Sequence, residues 1–279
     1  MKKLLLFLLL CPSLLFCETS ILSRFTVRQS FQTKNDKAEP ATIAYTSPKE
    51  AKSSYLINAA LGFNLFPKSK TYLFVYPFFE YHRNTLIDKE QFNYLGGISV
   101  EWMPFDILKN KWSPVLISSA AYSNDRMKEI ESFKGNIYLT FVFKWSSFTI
   151  FKTFFVEAFP YIGIENENRL KTATASSEGN VYRALFRYKI SCNPFMAIGI
   201  IGDRIEISLD LQYRYDFITS FKQLSRDHRY VSLGCSYKIY QTEDKAKSAE
   251  IGIEYVNGED PVRGFEKQCY HAAVLKVKL

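Results

Sequence analysis

Histidine, serine and cysteine are the residue types that could supply a nucleophile and its base, but their spacing in this chain does not predict such a site. The histidines are His82, His228 and His271. His82 lies in the segment EYHRN, residues 80–84, which offers an acid and an amide but no serine. A hydroxyl nucleophile needs a base within hydrogen-bond reach. We therefore predict no catalytic residue and lean against an enzyme.

The same survey predicts no cofactor and no metal site. The chain has no calcium-binding loop, no phosphate-binding glycine loop and no nucleophile elbow. Cys192, Cys235 and Cys269 have neither CxxC spacing nor a His/Cys metal pattern. We expect these three thiols to remain unpaired.

Charged residues are more informative, because they recur at alternate positions of long segments. In residues 204–217, RIEISLDLQYRYDF, every second residue is apolar or aromatic and the others are polar or charged. Successive side chains of a strand point to opposite faces, so this segment predicts a strand with one apolar face and one charged face. It is far longer than the strand of about 5 or 6 residues that is usual in globular proteins.

Similar segments recur along the chain, and we predict about twelve strands. Their apolar faces suit lipid or the core of a soluble sandwich equally well, so composition alone leaves both open. Polar connections such as residues 31–52 and 166–179 are longer than alternate ones such as 66–70. The predicted strands are residues 21–30, 54–65, 72–83, 92–102, 113–123, 135–145, 152–165, 180–192, 204–217, 228–240, 248–257 and 268–279.

The N-terminus predicts export. Lys2 and Lys3 precede an apolar run and then small or polar residues near Cys17, the pattern of a secretion signal. We assign residues 1–17 to a signal peptide and residues 18–279 to a single barrel domain. The alternative, lipidation of Cys17 as in bacterial lipoproteins, is kept open.

Together these features resemble the bacterial outer-membrane β-barrels: a signal peptide, about twelve amphipathic strands, connections of alternating length, and a chain that ends on the strand YHAAVLKVKL. The resemblance implies an all-β fold, a closed antiparallel transmembrane β-barrel, in the bacterial outer membrane after secretion across the inner membrane. Closure is required because lipid offers no partner to free backbone groups at a sheet edge. The implied partners are the lipid bilayer, its outer-leaflet lipid and the outer-membrane assembly machinery.

The polar faces of the strands supply the candidate site. Inward charges can filter solutes by sign and size, or they can pair across a narrow barrel and fill it. Pairing about a turn near residue 198 would set Arg187 opposite Glu206 and Arg183 opposite Asp210. The predicted lumen-lining residues are Glu80, Glu101, Lys144, Glu157, Arg183, Arg187, Glu206, Asp210, Arg214 and Glu254.

The function expected from this sequence is a passive or weakly selective, porin-like channel for small hydrophilic solutes. One alternative is a lipid-modifying enzyme with the architecture of the outer-membrane phospholipases, which the number of strands allows. The other is a structural or adhesive barrel. The net charge of +8 is mild for this length, and basic and acidic residues are interspersed, so we expect no nucleic-acid partner.

Overall fold

The computed structural model describes most of the chain as strand. The predicted signal peptide and Cys17 lie outside the described part, so both remain predictions. Within the described part, no helix is long and apolar enough to cross a membrane, a finding that does not bear on strands. The described residues are 24–31, 40–46, 54–67, 72–85, 90–105, 110–143, 147–150, 154–173, 177–195, 198, 202, 204–221, 225–242, 247–260 and 266–278.

Within the described residues, fourteen strands form one antiparallel sheet that closes on itself. They are β1 (Phe25–Arg28), β2 (Ala41–Thr46), β3 (Ser54–Phe63), β4 (Leu73–Asn84), β5 (Gln91–Trp102), β6 (Trp112–Asp125), β7 (Ile130–Phe143), β8 (Ser147–Ile150), β9 (Phe154–Lys171), β10 (Gly179–Asn193), β11 (Ile205–Thr219), β12 (Asp227–Gln241), β13 (Ser248–Asp260) and β14 (Glu266–Lys278).

Twelve of these strands make the closed path, which confirms the predicted barrel of about twelve antiparallel strands. From β3 the path runs through β2, β14, β13, β12, β11, β10, β9, β7, β6, β5 and β4, and the pairing of β3 with β4 closes it. The two remaining strands are short additions to this path. β1 pairs with the end of β3, and β8 pairs with the start of β9.

Apolar and polar side chains alternate between the two faces of the strands, as the sequence predicts. Apolar side chains such as Ile137, Ile164 and Ile253 are exposed on the outer face of the barrel. Polar side chains at the alternate positions are buried on the face that the barrel encloses, and we call this the enclosed face. A soluble protein places its apolar face inward, so this barrel has the opposite arrangement.

Strand boundaries differ from the sequence prediction at the first strand and at several connections. The first strand of the closed path is β2, which lies inside the segment that we predicted to be a long connection, residues 31–52. β9 continues to Lys171 and so takes up part of the predicted connection 166–179. The end of β9 extends beyond the part of the barrel whose outer face is apolar. Polar and turn-forming residues can lie in such a strand end, because neither of its faces must be apolar.

The register between β10 and β11 also differs from the prediction. Arg187 lies opposite Gln212 and Arg183 lies opposite Asp216, so the predicted partners Glu206 and Asp210 are wrong as directly opposite pairs. The observed partners are six residues further along β11. A shift by an even number of residues leaves every side chain on its face, so alternation cannot distinguish these two registers.

The observed register predicts which cysteine pair will form a disulfide. Ala184 lies opposite Tyr215, and opposite residues in an antiparallel pair have Cα atoms about 4.5–5.5 Å apart, within the reach of a disulfide. With Cys192, Cys235 and Cys269 replaced by serine, Ala184→Cys combined with Tyr215→Cys should cross-link on oxidation, as judged by non-reducing gel mobility. The control pair, Ala184→Cys with Leu209→Cys, corresponds to the sequence-predicted register. Cross-linking of the control pair instead would contradict the observed register.

Candidate functional site on the enclosed face

Nine of the ten predicted lumen-lining residues lie in the described part of the chain, and all nine are buried or half-buried. Glu80, Glu101, Arg183, Asp210 and Arg214 are buried. Glu157, Arg187, Glu206 and Glu254 are half-buried, and Lys144 lies outside the described residues. Most of these side chains contact other side chains, which does not by itself indicate an open aqueous lumen. Their role as lumen-lining residues therefore stays a prediction.

The first ion-pair cluster is centred on Arg183. Its Nε donates to Oδ1 of Asp216 over 2.8 Å, and its Nη2 donates to Oε2 of Glu167 over 3.0 Å. His228 extends the cluster, with Nε2 at 3.2 Å from Oδ2 of Asp216 and Nδ1 in contact with Glu259. Three neighbouring strands, β9, β10 and β11, therefore meet at one guanidinium, with β12 and β13 joined to it through His228.

A second cluster joins two arginines through a glutamine. Arg187 binds Asp210 through Nε and Nη2, at 2.9 and 2.6 Å. Gln212 donates to Asp210 over 2.8 Å and accepts from Arg214 over 2.7 Å. Arg214 also donates to Glu165 over 3.0 Å. Each charge in this chain of contacts has a partner of opposite sign, as burial requires.

Two further predicted carboxylates, Glu206 and Glu254, also have partners on neighbouring strands. Glu206 accepts from Nζ of Lys238 over 2.9 Å. Glu254 accepts from the hydroxyl of Ser232 over 2.5 Å.

Glu80 organises the opposite side of the barrel. Its carboxylate accepts from the backbone N–H of Phe31 over 2.7 Å and lies 3.0 Å from Nε2 of His82. Nδ1 of His82 lies 3.1 Å from Oδ1 of Asn58. The structure buries His82, whose described contacts are to Glu80 and Asn58. A serine joins this group through the carboxylate, because the hydroxyl of Ser30 donates to Oε1 of Glu80 over 3.2 Å.

Apolar and aromatic side chains fill much of the space between these polar groups. One cluster surrounds Phe31, Tyr76 and Phe78. Another surrounds Tyr138, Phe159 and Tyr161, and Tyr138 donates its hydroxyl to Glu165 over 2.7 Å. The enclosed face is therefore packed by both ion pairs and rings at these levels.

A polar cavity of about 90 Å³ remains beneath the rim at which β6 turns into β7. Asp125, Lys134, Glu165, Glu167 and Arg183 are among the residues that line it. Both signs of charge are present, so the cavity suits water and small polar solutes of either sign. Within the described residues, no group of three or more His, Cys, Asp or Glu side chains is arranged to hold a metal ion.

Several residues of these clusters were missing from the sequence prediction. Glu167 fell in a predicted connection, and Asp216 was recognised as part of the charged face of its strand but was not chosen as a site residue. Both could have been found from the alternation of inward and outward side chains, which continues to the ends of β9 and β11. Arg28 ends β1 and was not chosen as a site residue. Phe31 gave no such signal, because its inward position depends on where the chain leaves the sheet.

Comparisons with known proteins add little to this description. No protein-family model matches the chain, and no curated protein matches it. Among solved structures, one from a study called "Unveiling the Mechanism Behind the in-meso Crystallization of Membrane Proteins" aligns over 86% of this chain and 82% of its own, with 10% identity and a TM-score of 0.43. A likeness this weak carries no argument. The closed barrel and its apolar outer face themselves fit a β-barrel membrane protein.

The burial of the Arg183 cluster predicts that breaking one of its ion pairs lowers the free energy of unfolding much more than breaking an exposed pair. Arg183→Met removes the guanidinium that Asp216 and Glu167 share, which should cost about 3–5 kcal/mol in the free energy of unfolding. The matched change Lys171→Met removes the partner of Glu131 in an exposed pair, where the lysine side chain is 67% accessible. That change should cost about 0–1 kcal/mol. Urea titration of both variants measures the difference, and equal losses would contradict the burial of the cluster.

Proposed function

We propose that this protein is a membrane-spanning β-barrel that provides a narrow, weakly selective passage for small hydrophilic solutes. The observation that carries the proposal is the inversion of the barrel, with apolar side chains outside and charged side chains of both signs inside. An apolar outer face is stable against acyl chains, whereas a charged enclosed face serves solutes that the bilayer excludes.

The outer face supports a membrane location. Its apolar side chains recur around the barrel, for example Ile137 on β7, Ile164 on β9 and Ile253 on β13. Trp102 ends β5 and Trp112 begins β6, so the two exposed indoles lie at the same rim. Tryptophan favours the boundary between lipid and water, because its ring is apolar and its N–H is polar. The N-terminal pattern supports export, and we propose the bacterial outer membrane as the destination, reached through its assembly machinery.

The packing of the enclosed face limits the size of the passage. The ion pairs of Arg183, Arg187 and Arg214 join β9, β10 and β11 along one side of the interior, and the cavity beside them is small. A wide aqueous pore would leave such side chains accessible to water. We therefore expect solutes no larger than small ions or small polar molecules to pass without rearrangement.

A second candidate function, a structural or adhesive barrel, is favoured by the same packing. Buried pairs such as Arg183 with Asp216 rigidify a barrel whether or not solutes cross it. We favour the passage because mixed charges and a polar cavity are not needed to fill a purely structural barrel. A lipid-modifying enzyme has no comparable support, since the described contacts of His82 and His228 are to carboxylates and an amide.

Purified protein in planar bilayers tests the passage directly. We expect small discrete conductance steps that depend only weakly on the sign of the ion. A bilayer that stays silent although folded protein has inserted would contradict the passage and favour the structural barrel. Release of fatty acid from the same bilayers would instead favour the enzyme.

The proposed membrane location predicts that an arginine on the outer face lowers stability more in the middle of the bilayer than near its surface. Ile253 is 69% exposed in the middle of β13, and Ile218 is 54% exposed near the end of β11. Ile253→Arg should cost about 2–4 kcal/mol of stability in vesicles, and Ile218→Arg about 0–1 kcal/mol, because an arginine near the interface reaches water. Urea unfolding from vesicles of a single lipid measures both. Equal costs would contradict the proposed position of the bilayer.

A further inference from the structure

The chain leaves the barrel wall between β1 and β2 and enters the interior. β1 pairs with residues 60–63 of β3, and β2 pairs with residues 54–58 of the same strand. The two strands therefore lie end to end along one edge of β3. Between them, Phe31 is 0% exposed and belongs to an interior cluster with residues of β3, β4, β5 and β6.

Specific contacts hold Phe31 on the enclosed face. Its ring stacks on Phe78 with centroids 5.0 Å apart and lies 5.6 Å from the ring of Tyr76. Its backbone N–H donates to the buried carboxylate of Glu80, and its carbonyl accepts from the hydroxyl of Ser99 over 3.3 Å. A backbone that enters a closed barrel must find such partners, because it has left the sheet.

Arg28 covers the other side of the ring. Its guanidinium carbon lies 3.6 Å from the centroid of Phe31 and 5.4 Å from that of Tyr76, which is cation–π geometry. Glu101 and Glu80 interact electrostatically with this guanidinium. The arginine thus adds a positive charge to the interior beside two carboxylates that were predicted to line the lumen.

The wall beside Phe31 is shaped to receive its ring. Gly62 of β3 is buried against it, and a Cβ placed at residue 62 would lie 2.0 Å from Cζ of Phe31. Glycine weakens a strand, so its presence there is explained by the close approach of the ring. Gly96, by comparison, has no atom within 4 Å of its Cβ position.

We propose that residues 28–31 are a plug that closes the interior of the barrel beside β3, β4 and β5, and that removing its ring opens this side to water. The part of the inference that concerns transport rests on the proposed function, whereas closure to water does not. The ring of Phe31 fills the interior, and the guanidinium of Arg28 offsets the charge of the nearby carboxylates. The missing side chain at Gly62 leaves room for the ring.

Reaction of a buried thiol tests the plug without relying on conductance. Ser99 is 2% exposed beneath Phe31, so Ser99→Cys, with the three native cysteines replaced by serine, reports entry of a water-soluble maleimide. Phe31→Ala in this background should raise the labelling rate by at least roughly tenfold, because loss of a buried ring leaves a cavity and polar walls admit water. The matched control is Phe25→Ala, which changes a 41% exposed ring in β1 and should leave the rate unchanged.

A second variant displaces the plug without removing it. Gly62→Ala forces the ring of Phe31 away and should also raise labelling, whereas Gly96→Ala should not. Circular dichroism and protease resistance establish that each variant retains its sheet. Unchanged labelling in both Phe31→Ala and Gly62→Ala would overturn the plug, as would equal acceleration by Phe25→Ala.

Conductance of the same variants separates the plug from the proposed passage. Faster labelling together with larger conductance steps supports both. Faster labelling in bilayers that remain silent supports the plug and counts against the passage. Unchanged labelling overturns the plug whatever the conductance, so the two claims can fail separately.

Discussion

The structure depends on one constraint: a closed sheet with an apolar outer face must satisfy all its polar groups inside. Backbone groups at the edges are satisfied because β2 pairs with β14 and β3 pairs with β4. Side chains on the enclosed face have little access to water, so each charge needs a partner of opposite sign. The contacts of Arg183, Arg187 and Arg214 follow from this need, since a buried charge that lacks a partner is costly.

The ion pairs also contribute specificity. Alternation of apolar and polar residues determines which face of a strand points inward, but it is unchanged when a strand slides by two residues. The charges are not periodic in this way. Arg183 of β10 meets Asp216 of β11 in the observed register, and a slide of β11 would separate these two buried groups while leaving the pair of Arg183 with Glu167 of β9 intact. We therefore infer that apolar residues select the face and ion pairs select the register.

The sequence was sufficient for the fold class and for the direction of most side chains, because both depend on local periodicity. Residues 204–217 predicted a strand with a charged inner face, and β11 has this arrangement. Register was not predictable in the same way, since it depends on partners from distant strands. Arg187 binds Asp210 diagonally although it lies opposite Gln212. The inward turn at Phe31 was also missed, because neither alternation nor charge marks where a chain leaves a sheet.

The sequence predicted the candidate site only as a set of charged residues, whereas the structure shows which groups these residues contact. It shows that Glu80 holds backbone as well as side chains, that Glu165 and Asp216 belong to the same set, and that aromatic rings separate the polar groups. These features arise from contacts between residues that are far apart in the sequence. The proposed narrow passage with a plug, instead of an open pore, accommodates both the charges and the rings.

The central claim is that the outer face of this barrel lies in lipid. Collision rates of nitroxide spin labels test it most directly, with single cysteines at positions 251 and 253 on the outer face and at position 127 in the connection between β6 and β7, after replacement of the native cysteines. In vesicles, labels at positions 251 and 253 should collide frequently with oxygen and rarely with a water-soluble nickel chelate, and the label at position 127 should show the reverse. Equal access of the nickel chelate to all three labels would contradict the account.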